Sequence, residues 1–172
     1  VVRSFNHRYQ REVLKEPGIK VTQFPKILGI DGVNKMSKSL NNHIELAASP
    51  EDKTRLVMKM VTDPARIRRS DPGNPDVCNV FSLHKIFSSP EEVAYIDVEC
   101  RRAGIGCVEC KQLLAKNMNK YFEPFMERRA ELDRNPQQVW GVLHDGARKA
   151  RKLAEETMVE VRDAIGLAKC EP

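Results

Sequence analysis

The spacing of hydrophobic and polar positions predicts a chain built mainly of helices. Over residues 1–15, Val1, Val2, Phe5 and Tyr9 fall on one helical face with basic residues opposite, and Pro17-Gly18 ends the run. Val21-Thr22 and Ile27-Leu28 are short β-leaning stretches separated by Pro25, compatible with a last strand leading into a loop. A helix is expected to start at Ser49, because its hydroxyl can cap free N–H groups while Pro50, Glu51 and Asp52 suit a first turn. Leu56, Val57, Met60 and Val61 form its apolar stripe. A Pro/Gly/Asp-rich loop follows from Asp63 to Asp76, with Arg66, Arg68 and Arg69 projecting from its first half, and then a short helix from Asp76 to Phe87. Ser89-Pro90-Glu91-Glu92 is a capping box, and its helix is expected to reach about Ala103 and stop at Gly104. From about Val108 the next helix turns Leu113, Leu114, Met118, Tyr121, Phe122 and Phe125 inward, with a kink expected at Pro124. Asn135-Pro136 breaks the chain before a terminal helical region carrying Val139, Trp140, Leu143, Ala147, Ala150, Ala154, Met158, Val161 and Ile165, with Gly166 as its terminator.

Composition narrows the class without naming it. A chain of 172 residues can bury a substantial core, and 41% hydrophobic with 31% charged residues is the balance of a globular protein. No apolar run has the length of a membrane span and no secretory signal precedes the first helix, so a cytoplasmic protein without a membrane partner is expected. The chain opens at Val1 rather than a methionine, as a piece cut from something longer or a processed protein would. Its net charge of +5 is uneven: residues 1–70 hold 14 Lys and Arg against 7 Asp and Glu, whereas residues 71–110 hold 3 against 7. The basic first part favours a polyanionic ligand, although ordinary clustering of surface charge produces the same counts.

Within that basic part, Lys35-Met36-Ser37-Lys38-Ser39 sits in a loop entered by Gly29, Asp31, Gly32 and Asn34 and left by Asn41-Asn42. Two mobile ammonium groups and two hydroxyls on a flexible loop suit a polyphosphate, and a solvated surface turn is the alternative. The KMSKS string resembles the second signature of the class I aminoacyl-tRNA synthetases, a loop that contacts ATP phosphates. Ile27-Leu28-Gly29-Ile30-Asp31-Gly32, Val61-Thr62-Asp63-Pro64, Asp71-Pro72-Gly73-Asn74-Pro75, Gly146-Ala147 with Ala150-Arg151, and Ala164-Ile165-Gly166-Leu167 are similar to bacterial tryptophanyl-tRNA synthetases. The resemblance runs from about residue 3 to residue 167. It implies a mostly α protein, in which residues 1–46 are the tail of a Rossmann-type catalytic domain and residues 47–172 an all-helical anticodon-binding domain. It also implies that Lys35 and Lys38 are catalytic, that Met36, Ser37 and Ser39 complete the ATP-binding loop, and that the backbone at Ile27 and Leu28 lies against the adenine.

Cys78, Cys100, Cys107 and Cys110 are spaced C-x21-C-x6-C-x2-C. Four thiols in so short a span, including a CxxC, point to a metal in a reducing compartment, and unpaired core cysteines are the alternative. Four thiolates suit tetrahedral zinc and an iron–sulfur cluster alike. Resemblance to the subset of bacterial tryptophanyl-tRNA synthetases with a four-cysteine pattern implies a 4Fe–4S cluster, with zinc as the alternative. The first gap here is one residue shorter than in that pattern. Cys170 is expected to be an uninvolved tail thiol and His84 a packing or surface residue.

The function so implied is ATP-dependent activation of tryptophan, with Mg, and its transfer to tRNA(Trp) by a homodimeric enzyme of which this chain is the C-terminal portion. A first signature of the HIGH type does not occur in the chain, so the piece alone is expected to be inactive. A freestanding tRNA-binding module and a zinc-stapled structural module are the competing readings.

Overall fold

The computed structural model describes residues 1–167, and Cys170 lies outside them. Among the described residues six α-helices follow in order: α1 Val2–Tyr9, α2 Pro50–Lys59, α3 Asn79–Phe87, α4 Pro90–Arg101, α5 Cys107–Arg134 and α6 Pro136–Ala164. The mostly helical class is therefore correct. Among the described residues the only β pairing is a single antiparallel bridge between Leu28 and Lys35, so the expected strand shrinks to one residue pair. No helix among them is long and apolar enough to cross a membrane.

The chain forms two compact units, Val21–Arg129 and a second made of Val1–Lys20 with the segment from Ala130 onward. The first has a core of its own. Val57 and Met60 from α2 and its end, Val80, Phe81 and Leu83 from α3, Ile96 from α4, Ile105, and Leu114, Ala115 and Met118 from α5 are all buried. Tyr121 and Phe125, expected on the same face as Leu114 and Met118, remain 61% and 45% exposed. Both stay within roughly 20° of Leu114 around the helix axis, so their exposure reflects α5 running on past the core, the last buried residue on it being Met118. Lys53 is also buried, with its ammonium 5.2 Å from the centre of the Phe122 ring.

Capping sets where the helices begin. Ser49 Oγ accepts the Asp52 N–H at 3.0 Å. At α4 the box is reciprocal, with Ser89 Oγ accepting from Glu92 N at 3.2 Å and Glu92 Oε2 accepting from Ser89 N at 3.1 Å. The expected Asp76–Phe87 helix divides instead into a 3-10 turn, Pro75–Val77, and α3. Asn74 caps the turn through Asp76 N at 3.0 Å, and Cys78 between the two is extended. Helix α4 stops at Arg101, two residues early, and Ala103 rather than Gly104 takes the left-handed conformation, with φ 60. Gly104 serves close packing: a Cβ there would lie 1.8 Å from Glu99 Oε2. Helix α5 starts at Cys107 and continues through Pro124.

In the second unit α1 ends at Tyr9, well short of residue 15. Gln10 is left-handed at φ 50, and the Asn6 side chain takes over the following backbone, accepting from Val13 N and Leu14 N at 3.2 and 3.0 Å and donating to Leu14 O at 2.7 Å. Arg11 pairs with Asp163 of α6 at 2.8 Å. Helix α6 buries no residue, and Trp140, Val142, Leu143 and Leu153 are each more than half exposed.

Candidate functional site

The KMSKS loop is fixed from beneath by backbone and amide hydrogen bonds. Met36 N donates to Ile27 O at 2.8 Å, and Gly29 N donates to Asn34 O at 2.9 Å. Asp31 Oδ1 accepts from Val33 N and Asn34 N at 3.0 and 3.2 Å, a local turn that reverses the chain. Buried Asn42 joins both sides of the loop. Its Oδ1 accepts from Ser37 N at 2.8 Å, and its Nδ2 donates to Asp31 Oδ2 at 2.9 Å and to Lys35 O at 3.4 Å. A Cβ on Gly29 would come within 2.3 Å of that amide, so glycine is required for the close approach. These bonds, led by the Val33 N–H and the Asn42 amide, hold the Asp31 carboxyl down to about 2.

The loop's functional groups divide by depth. Lys35, Lys38 and Ser39 are exposed, whereas Met36 and Ser37 are half-buried. Met36 lines an apolar cavity of about 100 Å³ together with Ile27, Ile44, Leu83, Met118 and Phe122. The Ser37 and Ser39 hydroxyls are 2.9 Å apart, and Lys38–Leu40 forms a 3-10 turn closed by Asn41 in the left-handed region at φ 51. Leu28 is half-buried in the bridge to Lys35. On the far side, buried Asn79 donates its Nδ2 to Gly29 O at 2.7 Å, joining the loop to the first turn of α3. The parts that sequence reading missed are Asn42, seen there only as a loop exit, and Asn79. Two polar amides beside apolar runs were the available signal, since a buried amide must find partners.

Asn79 directly follows Cys78, so the first of the four cysteines stands at the same end of α3 as this brace. Cys78 stands at the N-terminus of α3, where the Phe81 and Val80 N–H groups favour its thiolate against a larger penalty from burial. Burial, then the charges of Cys78, Cys100 and Cys107, push the Cys110 thiol up to about 12. Burial likewise raises Cys100, with the Arg66 guanidinium opposing it. The charges of the other three all reach Cys110, which puts them in one electrostatic neighbourhood, but no three Cys, His, Asp or Glu side chains among the described residues are grouped so as to hold a metal ion. Both statements hold because charge coupling reaches farther than a coordination shell.

Arginines complete this neighbourhood in a way the sequence did not indicate. Arg66 and Arg69 do not project into solvent as free groups. Arg66 donates to Arg69 O at 3.0 Å, to Ile105 O at 2.8 Å and, weakly, to Cys100 Sγ at 3.8 Å. Arg69 donates to Ala103 O and, at 2.8 Å, to Gly104 O. Together they clamp the α4–α5 turn that leads from Cys100 to Cys107. Arg66 Nε is buried without a hydrogen-bond partner. Gly73 lies so close that a Cβ there would be 2.5 Å from Cys100 Sγ. His84 is fully buried: Nδ1 meets Ser88 Oγ at 2.6 Å and Nε2 meets Cys110 O at 3.1 Å and Cys110 Sγ at 3.4 Å. It is a packing residue, and burial favours its neutral form.

The loop presents two exposed lysines from a base of backbone and amide hydrogen bonds, and the chain's similarity to known proteins spans these residues. The family model described as tRNA synthetases class I (W and Y) matches residues 1–123, and the chain belongs to that family. It is 44% identical over 168 residues to the tryptophan–tRNA ligase of Aquifex aeolicus, covering 97% of this chain and 42% of that protein. With the tryptophan–tRNA ligase of Thermotoga maritima the identity is again 44% over 168 residues, covering 97% of this chain and 51% of that one. The crystal structure of the Campylobacter jejuni tryptophanyl-tRNA synthetase complexed with ADP and tryptophan superposes with a TM-score of 0.75 at 29% identity, over 96% of this chain and 51% of that chain. The chain thus spans about half the length of the relatives it matches.

Proposed function

We propose that the chain is the C-terminal part of a tryptophan–tRNA ligase, in which its KMSKS loop binds ATP and its helical part reads the tRNA(Trp) anticodon. The observation that carries this reading is the braced loop that presents Lys35 and Lys38 to solvent. In the whole enzyme a tryptophan carboxylate oxygen attacks the α-phosphorus of ATP. The new oxygen–phosphorus bond forms as the bond to the bridging oxygen breaks, and pyrophosphate departs with the electron pair. Lys35 and Lys38 stabilise the charge gathering on that leaving group, together with Mg. Ser37 and Ser39 add hydrogen bonds, Met36 holds the loop by packing, and the backbone at Ile27 and Leu28 faces the adenine. No general base is needed, because the attacking carboxylate is already ionised. A tRNA hydroxyl then takes the tryptophanyl group and AMP leaves. The whole enzyme is cytoplasmic and homodimeric.

The experiment is tryptophan-dependent exchange of pyrophosphate into ATP. The full-length enzyme should exchange, this chain alone should not, and Lys35→Ala with Lys38→Ala should remove the activity from the former. Exchange undiminished in that double variant would refute the assignment.

The four thiols support a second element of the proposal, a resident metal centre held by Cys78, Cys100, Cys107 and Cys110. Four thiolates around a 4Fe–4S cluster or a zinc ion leave net negative charge, and the unpartnered guanidinium N–H of Arg66 beside them answers that charge. The cluster, when bound, serves as a staple between helices whose connecting turn Arg66 and Arg69 already clamp. Anaerobically purified protein should hold about four iron and four sulfide per chain; one zinc instead would select the other metal, and neither would dismiss the centre.

A further inference from the structure

The loop's charged groups owe their placement to residues outside the five-residue signature. Lys35 and Lys38 are exposed, so the backbone at residues 35–37 sets where their side chains start and how far their ammonium groups reach. That backbone is pinned at Met36 by Ile27 O and at Ser37 and Lys35 by one buried side chain, Asn42. Asn42 cannot rotate to exchange its oxygen and nitrogen: Ser37 N requires an acceptor, and the Asp31 carboxylate 2.9 Å away requires a donor. Gly29 closes over the amide with no room for a Cβ, which removes the remaining freedom.

We infer that Asn42, oriented by Asp31, is the positioning residue of the signature loop, fixing Ser37 and thereby the reach of Lys35 and Lys38 toward the polyphosphate. The inference rests on the ATP-binding reading above and deepens it. A positioning residue acts on the transition state through the lysines, so its removal lowers kcat while leaving tryptophan affinity in place.

The test uses the full-length enzyme in tryptophan-dependent pyrophosphate exchange, with tryptophan binding measured separately in the absence of ATP. Asn42→Ala should lower kcat about 100-fold, the scale expected when catalytic groups shift by about 1 Å, with tryptophan affinity unchanged. Asn42→Asp keeps the acceptor for Ser37 N but sets two carboxylates face to face. Its activity should be low at pH 8 and climb as pH falls, because one proton restores the missing donor. Asp31→Asn combined with Asn42→Asp reverses donor and acceptor, and should recover kcat to within about tenfold of the unaltered enzyme, at most one decade of the two lost. A kcat within threefold of unaltered for Asn42→Ala, or a double variant no better than Asn42→Asp alone, would overturn the inference. If Asn42→Ala is innocuous while Lys38→Ala is damaging, only the positioning role fails. If Lys38→Ala is also innocuous, the ATP reading fails with it.

Discussion

The signature loop and the thiol site hang from the same helix and treat polar groups in opposite ways. Around the loop, the lysine heads face outward, and the buried polar side chains, Asn42 and Asn79, bind backbone, Asp31 and the Ser82 hydroxyl. Among the cysteines only Cys110 is fully buried, and burial first, then the neighbouring thiolates, raise the cost of ionising it, up to about 12. A ligand that comes and goes calls for exposed charge on a rigid base. The loop keeps its charge in water, while burial keeps the thiols of Cys78, Cys100 and Cys110 protonated and neutral.

The contrast can be broken most forcefully at the cysteines. On the proposal of a metal centre, Cys107→Ser with Cys110→Ser should abolish metal binding and lower the melting temperature by roughly 10 °C or more, since structural metal binding contributes directly to folding free energy. An unchanged thermal melt by circular dichroism would make the two sites alike. Next in size, Lys38→Ala in the full-length enzyme should reduce pyrophosphate exchange by about 10²–10³-fold, the loss typical of a removed transition-state charge contact. Its melting curve should overlay that of the unaltered protein. Gly73→Ala tests the thiol site without touching a ligand. Its Cβ would intrude on Cys100 Sγ, and a loss of about 1–3 kcal/mol in urea unfolding is expected.

The smallest effect belongs to Asp31. Its folded pKa of about 2 lies below the unfolded value near 4, so its contribution is fully present above about pH 4 and is lost as pH falls through about 2. Asp31→Asn should flatten the acid limb of stability in that window and leave its slope above pH 5 unchanged. Acid titration followed by circular dichroism checks this.

Sequence and structure agree most closely where the determinants are local. The cap residues Ser49 and Ser89 fixed the starts of α2 and α4, and Asn135-Pro136 the start of α6, because a cap needs only its own first turn. They part where a side chain or backbone group finds a distant or competing partner. Asn6 ends α1 early, and an extended Cys78 divides the expected Asp76–Phe87 helix. The Arg66 and Arg69 guanidiniums reach carbonyls 34 to 39 residues away in sequence.

The amino-acid order alone determined the mostly helical class, the KMSKS signature and the candidate ligand set of cysteines, because periodicity, capping and residue chemistry are properties of short stretches. Only the tertiary structure decided which amides were buried, that Asn42 and Asn79 would brace the loop, that two arginines would clamp the α4–α5 turn, and that four thiols would share one electrostatic neighbourhood. Those outcomes depend on which unpaired polar groups meet when the core closes, and a buried polar group takes the partner that folding brings to it.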